Sequence, residues 1–251
     1  MSDKPTILVE TYIRRAAEGS SANSYKGLLI HALPGLHQLV AEKAVAYLPP
    51  GAKVLDLAAG SGAMCQRLLD LGFRVSATDF VRANFRVDNV PFFEADLNES
   101  FAATHADRYQ GIIACEIIEH LENPRHFARQ CFQLLSPGGR MVLTTPNVDS
   151  PASKASFLRF GTFYWFDDER YDIDGHITPL TQWQLDKAFT EAGFCFLWKG
   201  SFGDAMRHTA GSPRLRLVAE LISRAGRLER ELHGEIFVAV LERPAATSQS
   251  K

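Results

Sequence analysis

The stretch Lys53–Leu69, KVLDLAAGSGAMCQRLL, decides the fold. Val54, Leu55 and Leu57 form a short apolar run that suits a parallel strand covered on both faces, and Asp56 interrupts it near its carboxyl end. Ala58, Ala59, Gly60, Ser61 and Gly62 then leave almost no side chain above the strand end, so a ligand can approach the backbone closely. The helix that follows, carrying Met64, Cys65, Leu68 and Leu69, opens with amides that point toward such a ligand. The dinucleotide fingerprint G-x-G-x-x-G is not met: Ala58 stands where its first glycine would be and no third glycine follows. An acid just before the loop repels phosphates and suits a cationic ligand. By itself the stretch fits any doubly wound nucleotide binder.

Working outward, Phe73–Ala77 (FRVSA) reads as a second strand, followed by Thr78, Asp79 and Phe80. An acid about 20 residues past a glycine loop is placed to accept hydrogen bonds from ribose hydroxyls; the alternative is a helix N-cap. Pro91–Ala95 (PFFEA) leads into Asp96, Leu97 and Asn98, where the plain alternative is a turn aspartate. Gly111–Cys115 (GIIAC) is a fourth strand, and SPGGRMVLTTPN, Ser136–Asn147, is a turn and a fifth. Phe194–Ser201 and Glu235–Glu242 read as the sixth and seventh.

These motifs, in this order over roughly residues 50 to 150, resemble the class I S-adenosylmethionine-dependent methyltransferases of the type 11, 12 and 23 groups. VLDLAAGSG matches their first motif, with Ala58 a common variant, and L-L-S-P-G-G-R matches the turn before their fifth strand. The resemblance implies a Rossmann-like α/β fold: a seven-stranded, mostly parallel sheet with helices on both faces and an antiparallel strand at its edge. It implies S-adenosylmethionine as cofactor, bound around Asp56, Ala58, Gly60, Gly62, Asp79, Phe80, Asp96, Leu97 and Cys115. Asp79 would meet the ribose, Asp96 the adenine amino group, and Leu97 the ring.

After Cys115 comes Glu116-Ile-Ile-Glu119-His120. In a helical turn Glu116, Glu119 and His120 share one face at i, i+3 and i+4, at the carboxyl end of a central strand, where open α/β sheets bind ligands. Carboxylates gathered there repel one another unless a cation lies between them, and a hard divalent ion is the natural one. The competing reading has Glu119 or His120 only capping the turn. His176, in DIDGHITPLTQWQL about 56 residues beyond His120, precedes a helix that Thr181 can cap. This layout is similar to that of the small-RNA terminal 2′-O-methyltransferases and the ubiquinone-pathway O-methyltransferases. Carried over residue by residue, the resemblance implies Mg²⁺ or Mn²⁺ on Glu116, Glu119, His120 and His176, with Glu119 and His120 as catalytic groups. The surroundings of His176, G-H-I-T-P-L, depart from the family's pattern.

Residues 1–244 read as one methyltransferase domain. It comprises an N-terminal helical cap (1–50), an aromatic lid (148–180), a helical insertion before the last strand (203–233) and a disordered tail (245–251). The lid gathers Phe157, Phe160, Phe163, Tyr164, Trp165, Phe166 and Tyr171, which can stack on a sugar, a quinone ring or a base or else form a satellite core. Tyr12 to His37, with Arg14, Arg15, Tyr25 and His31, is the candidate for the site's other wall. Along residues 213–232, Leu215, Val218, Leu221, Ile222, Ala225 and Leu228 recur at helical spacing beside Arg214, Arg216, Arg224, Arg227 and Arg230. Such a helix suits docking on the domain, a second copy in a homodimer, or peripheral membrane contact.

The 251 residues, 46% of them hydrophobic, can bury one sizeable core. A formal net charge of −2 argues against a nucleic-acid partner. Cys65, Cys115, Cys131 and Cys195 form no C-x-x-C pair, MSDKPTILVE shows no secretory leader, and no apolar run reaches the length of a membrane span. The expected setting is the cytoplasm. The expected function is O-methylation of a hydroxyl, one of a vicinal pair on a small molecule or glycan such as a sugar, catechol or quinol. The alternatives are a metal-independent N-methyltransferase on a small amine or amino sugar and a silent cofactor-binding scaffold.

Overall fold

The computed structural model describes residues 23–226 and 229–245. A short hairpin, β1 (Ser24–Tyr25) and β2 (Leu28–Leu29), precedes α1 (Leu36–Tyr47). Then follow β3 (Lys53–Leu57), α2 (Ala63–Asp70), β4 (Arg74–Asp79), β5 (Phe92–Glu94), β6 (Tyr109–Cys115), α3 (Pro124–Leu134) and β7 (Leu135–Pro146). The chain continues through α4 (Pro151–Phe160), α5 (Asp168–Asp174), α6 (Gln182–Ala192), β8 (Cys195–Phe202), α7 (Pro213–Ala225) and β9 (Ile236–Glu242).

Seven strands form one sheet in the order β5-β4-β3-β6-β7-β9-β8. Neighbours from β5 to β7 run parallel, and β9 runs antiparallel to both β7 and β8. The reversed strand is therefore β9, one in from the edge that β8 forms. The alternation along the strands shows why both faces need helices. Leu55 and Leu57 enter one core cluster and Val54 the other, and Phe237, Ala239 and Leu241 of β9 part in the same way from Val238 and Val240.

From β3 the chain builds outward to β4 and β5, then returns to the other side of β3 with β6. That reversal opens a crevice at the carboxyl ends of β3 and β6. Their register, Leu57 beside Ala114, sets the glycine loop next to Cys115 and Glu116.

Of the stretch read as an N-terminal cap, the described part holds the hairpin and α1; Tyr12, Arg14 and Arg15 lie outside the described residues. The insertion before the last strand forms α7 only as far as Ala225, and Arg230–Leu232 make a separate 3₁₀ turn. Arg227, Leu228 and residues 246–251 are outside the described set.

Candidate functional site

The glycine loop turns through three left-handed residues, Ala58 (φ 59°), Gly60 (54°) and Gly62 (92°). Gly62 is the N-cap of α2 and offers no side chain to cap that helix. Two of the three acids read as cofactor-facing, Asp56 and Asp79, lie beneath this loop, each 2% exposed. Asp56 accepts the Cys65 thiol (Sγ to Oδ2, 3.1 Å) and the Cys65 backbone amide, which ties it to the first turn of α2. Burial pushes its pKa up to about 7 against those hydrogen bonds. Asp79 accepts the amides of Gly60 (2.8 Å) and Val81 (3.0 Å), and burial raises its pKa as well. In this structure the two carboxylates hold the loop in shape from behind.

The other sequence-derived positions divide. Phe80, at the end of β4, is 37% exposed. Asp96 is half-buried and closes a turn by accepting the amide of Asn98 at 3.0 Å. Leu97 is buried in the core cluster, and Cys115 is half-buried beside Thr144. Tyr25 is hydrogen-bonded to Asp70 at the far end of α2, away from the crevice, and so does not form an acceptor wall.

Beyond β6 the backbone turns sharply at Glu116 (φ 53°) and forms a 3₁₀ turn over Ile118–His120. Ligand atoms of Glu119, His120 and His176 lie within 4.8 Å of one another. Glu119 is fully buried: Oε2 accepts the Thr145 hydroxyl at 2.9 Å, while Oε1 has no hydrogen-bond partner among the described residues and lies 3.9 Å from His120 Nε2. Burial first, and the neighbouring Glu116 second, push its pKa well above the carboxylate range. Burial holds His120 down at about 4, with His176 adding to it, and burial lowers His176 too. Both imidazoles are therefore neutral at pH 7. Nδ1 of His176 is 2.7 Å from the Trp165 carbonyl and must donate to it, which leaves the Nε2 lone pair free. The rings of His120 and His176 meet edge to face, 4.8 Å between centroids.

Glu116 does not join this cluster. Thr144 donates to its Oε1 at 2.7 Å and accepts its backbone amide at 3.0 Å, turning the side chain toward β7. A regular helical turn would have set Glu116 above Glu119; the left-handed residue at the strand end breaks that spacing.

The cluster fits a divalent cation on its own chemistry: one buried carboxylate oxygen without a partner and two neutral imidazoles, one with its tautomer fixed by a backbone carbonyl. A family model described as "Methyltransferase domain" matches residues 30–197. The chain belongs to that family, the S-adenosylmethionine-dependent methyltransferases. A ubiquinone biosynthesis O-methyltransferase of Psychrobacter arcticus is 32% identical to this methyltransferase domain over 171 residues, 63% of each chain. The match thus spans less than two thirds of that relative. Among solved structures, an S-adenosylmethionine-dependent methyltransferase from Archaeoglobus fulgidus covers 82% of the chain with a TM-score of 0.55 at 16% identity. The cyclase SpnF covers 95% with a TM-score of 0.58, also at 16%. At such identities the likeness concerns the fold alone.

Three parts of this methyltransferase site escaped the sequence reading. Thr144 and Thr145 hold Glu116 and Glu119 respectively, and the Trp165 carbonyl orients His176. The threonines carried a readable signal: parallel pairing sets Cys115 beside Thr144, so two hydroxyls at the end of β7 must meet the acids that follow β6. The Trp165 contact carried none, since a left-handed tryptophan (φ 70°) is not a sequence pattern.

Proposed function

We propose that this domain moves the methyl group of S-adenosylmethionine to one hydroxyl of a vicinal pair on a small-molecule acceptor, a catechol, quinol or sugar, with the help of Mg²⁺ or Mn²⁺. The observation that carries the reading is the buried cluster of Glu119, His120 and His176, with its unpartnered carboxylate oxygen and neutral imidazoles. The O-methyltransferase name of the Psychrobacter relative supports it.

S-adenosylmethionine supplies an electrophilic methyl on a sulfonium, and a divalent cation supplies charge stabilisation to an alcohol losing its proton. Everything else falls to the protein. The loop Ala58–Gly62 and the first amides of α2 hold the cofactor, with Asp56 and Asp79 keeping the loop rigid. Glu119 Oε1 and the two imidazoles present three converging donors for the cation. An imidazole that ligates the cation has no lone pair left for a proton, so the proton of the acceptor hydroxyl leaves to solvent. Attack on the methyl must then come in line at roughly 3 Å, which is a task of positioning. Trp165 and Phe166, the latter 5.6 Å from the His176 ring between centroids, form the wall on the acceptor side.

The acceptor's source is proposed from the surface. Arg159, near the end of α4, donates to Ser212, the N-cap of α7, so the two helices run antiparallel with Ala152 and Ala155 against Leu215 and Ala219. At 100° per residue this leaves Leu158 (73% exposed) on the same outer side as Val218 and Leu221 (37% and 54%). Arg214 shares that side, whereas Arg216 and Arg224 turn away from it and pair with Glu220, the one acid of α7. Such a face suits an anionic bilayer that delivers a lipid-borne acceptor.

The test is a co-crystal with S-adenosylhomocysteine and Mn²⁺. Anomalous density among Glu119, His120 and His176 is the expected result; density elsewhere, or none, overturns the metal assignment. Glu119→Ala and His120→Ala should each lower kcat by at least about 10²-fold, with cofactor affinity within a few fold by calorimetry.

A further inference from the structure

His176 owes its orientation to the Trp165 carbonyl, which is presented from a left-handed backbone (φ 70°) that a bulky residue keeps only where its surroundings hold it. Resting on the function proposed above, we infer that His208, fixed by Glu235, is a positioning residue of the cation site: its ring holds Trp165 in the conformation that directs the carbonyl at His176. Both His208 and Glu235 lie beyond the stretch that the family model matches.

The brace begins at the sheet. Two residues past Thr145, which holds Glu119, the Asn147 amide donates to the Glu235 carbonyl at 2.7 Å, and Asn147 Nδ2 donates to the carbonyls of Leu232 and Gly234 at 2.7 and 2.9 Å. The chain entering β9 is thereby pinned to the end of β7, on the same side of the sheet as the cluster. The Glu235 side chain, 3% exposed, accepts Arg207 Nη2 at 2.7 Å and His208 Nε2 at 2.6 Å on one oxygen, Oε2. A Cβ at Gly203 would come within 2.9 Å of its Oε1, so glycine there leaves room for the carboxylate. His208, in the 3₁₀ turn Ala205–Thr209, is thus held at a fixed point, and its ring meets two rings of the aromatic stretch. Tyr164 packs on it at 4.4 Å between centroids and donates its hydroxyl to the His208 carbonyl, while Trp165 meets it edge to face at 5.4 Å.

Trp165 has no polar anchor that could replace this packing. Its indole Nε1 is enclosed and has no hydrogen-bond partner among the described residues, so the ring is located by the His208 ring and by the Arg170 guanidinium, 5.2 Å away. Without the His208 ring, Trp165 relaxes toward ordinary backbone angles and its carbonyl turns off His176 Nδ1. A neutral imidazole released in this way exchanges between Nδ1–H and Nε2–H forms, and only the first offers Nε2 to a cation.

The test uses the whole chain, with ¹⁵N NMR of the His176 ring before metal is added and calorimetry with Mn²⁺ and S-adenosylmethionine as separate titrants. The wild type should show His176 as the Nδ1–H tautomer. His208→Gln keeps a donor for Glu235 but removes the ring; it should turn His176 into a mixture of tautomers and weaken Mn²⁺ binding about tenfold, with S-adenosylmethionine within threefold. His208→Phe keeps a ring against Trp165 and should return Mn²⁺ binding to within threefold of wild type, a rescue that general loosening would not produce. Glu235→Gln should move both readouts in the direction of His208→Gln by a smaller factor, and it decides the matter if His208→Gln does not fold. An Nε2–H His176 in the wild type, an unchanged tautomer and Mn²⁺ affinity in the folded variants, equal losses of Mn²⁺ and S-adenosylmethionine affinity, or no rescue by His208→Phe overturns the inference. If the wild type binds no Mn²⁺, the metal reading fails by itself, and the tautomer arm still decides the role of His208.

Discussion

At the scale of single residues, the site rests on polar groups that burial has moved out of their ordinary charge states. Asp56 illustrates it. Its carboxyl, at about 7 in the folded chain, lies above the value an unfolded chain gives it, so the folded state binds the extra proton. Its contribution to stability therefore falls as pH rises from about 4 to about 7 and stays low above that. Asp56→Asn keeps an acceptor for the Cys65 amide and removes the ionisation, so it should raise Tm by about 4 °C more at pH 8 than at pH 5. Equal shifts at both pH values in a thermal melt would show that Asp56 is ionised at no cost. The residue type at position 56 was legible in the sequence; its direction was not. An acid before a glycine loop reads as ligand-facing, but the bare amides of Gly60, Val81 and Cys65 need acceptors of their own, and Asp56 and Asp79 are the nearest.

At the scale of elements, the pattern of the chain carried most of the information. The apolar run at Val54–Leu57 and the Thr181 cap, a complete capping box with Gln184, follow from local rules and appear in the structure where those rules put them. The Glu116–His120 turn does not, because the left-handed residue and the 3₁₀ geometry answer to Thr144 and Thr145 on a strand far along the chain. The glycine loop allows a direct trial of this level. A Cβ on Gly62 would lie 2.4 Å from Val87 Cγ2 and 2.9 Å from Phe85, at a φ of 92°. Gly62→Ala should cost about 2 kcal/mol, lowering Tm by roughly 4–8 °C, and should weaken S-adenosylmethionine binding because the loop must shift. A melt and a cofactor titration indistinguishable from wild type would remove Gly62 from the account.

At the scale of the whole molecule, the family model ends at residue 197, while α7 and the last strand lie beyond it. The outward apolar face of α4 and α7 thus lies partly beyond the matched stretch, and none of the described helices is long and apolar enough to cross a membrane. Flotation with phosphatidylglycerol vesicles at low salt should carry the protein upward, with Leu158→Glu and Leu221→Glu each reducing the floated fraction several-fold. No flotation, together with a concentration-dependent dimer in light scattering that Leu221→Glu dissolves, would assign this face to a second copy instead. The aromatic stretch holding Trp165 and Phe166 was legible in the chain, but the contacts of the Trp165 carbonyl and the Phe166 and His120 rings with His176 are brought about only by the fold.

The central claim is that hydroxyl methylation runs through the Glu119, His120 and His176 cluster with a divalent ion. Transfer of tritium from methyl-labelled S-adenosylmethionine to a simple catechol, followed before and after chelation, tests it most directly. Chelator should abolish transfer while cofactor binding persists, and Mg²⁺ or Mn²⁺ should restore it in the wild type but not in His176→Ala. Full turnover in the chelated protein would contradict the claim.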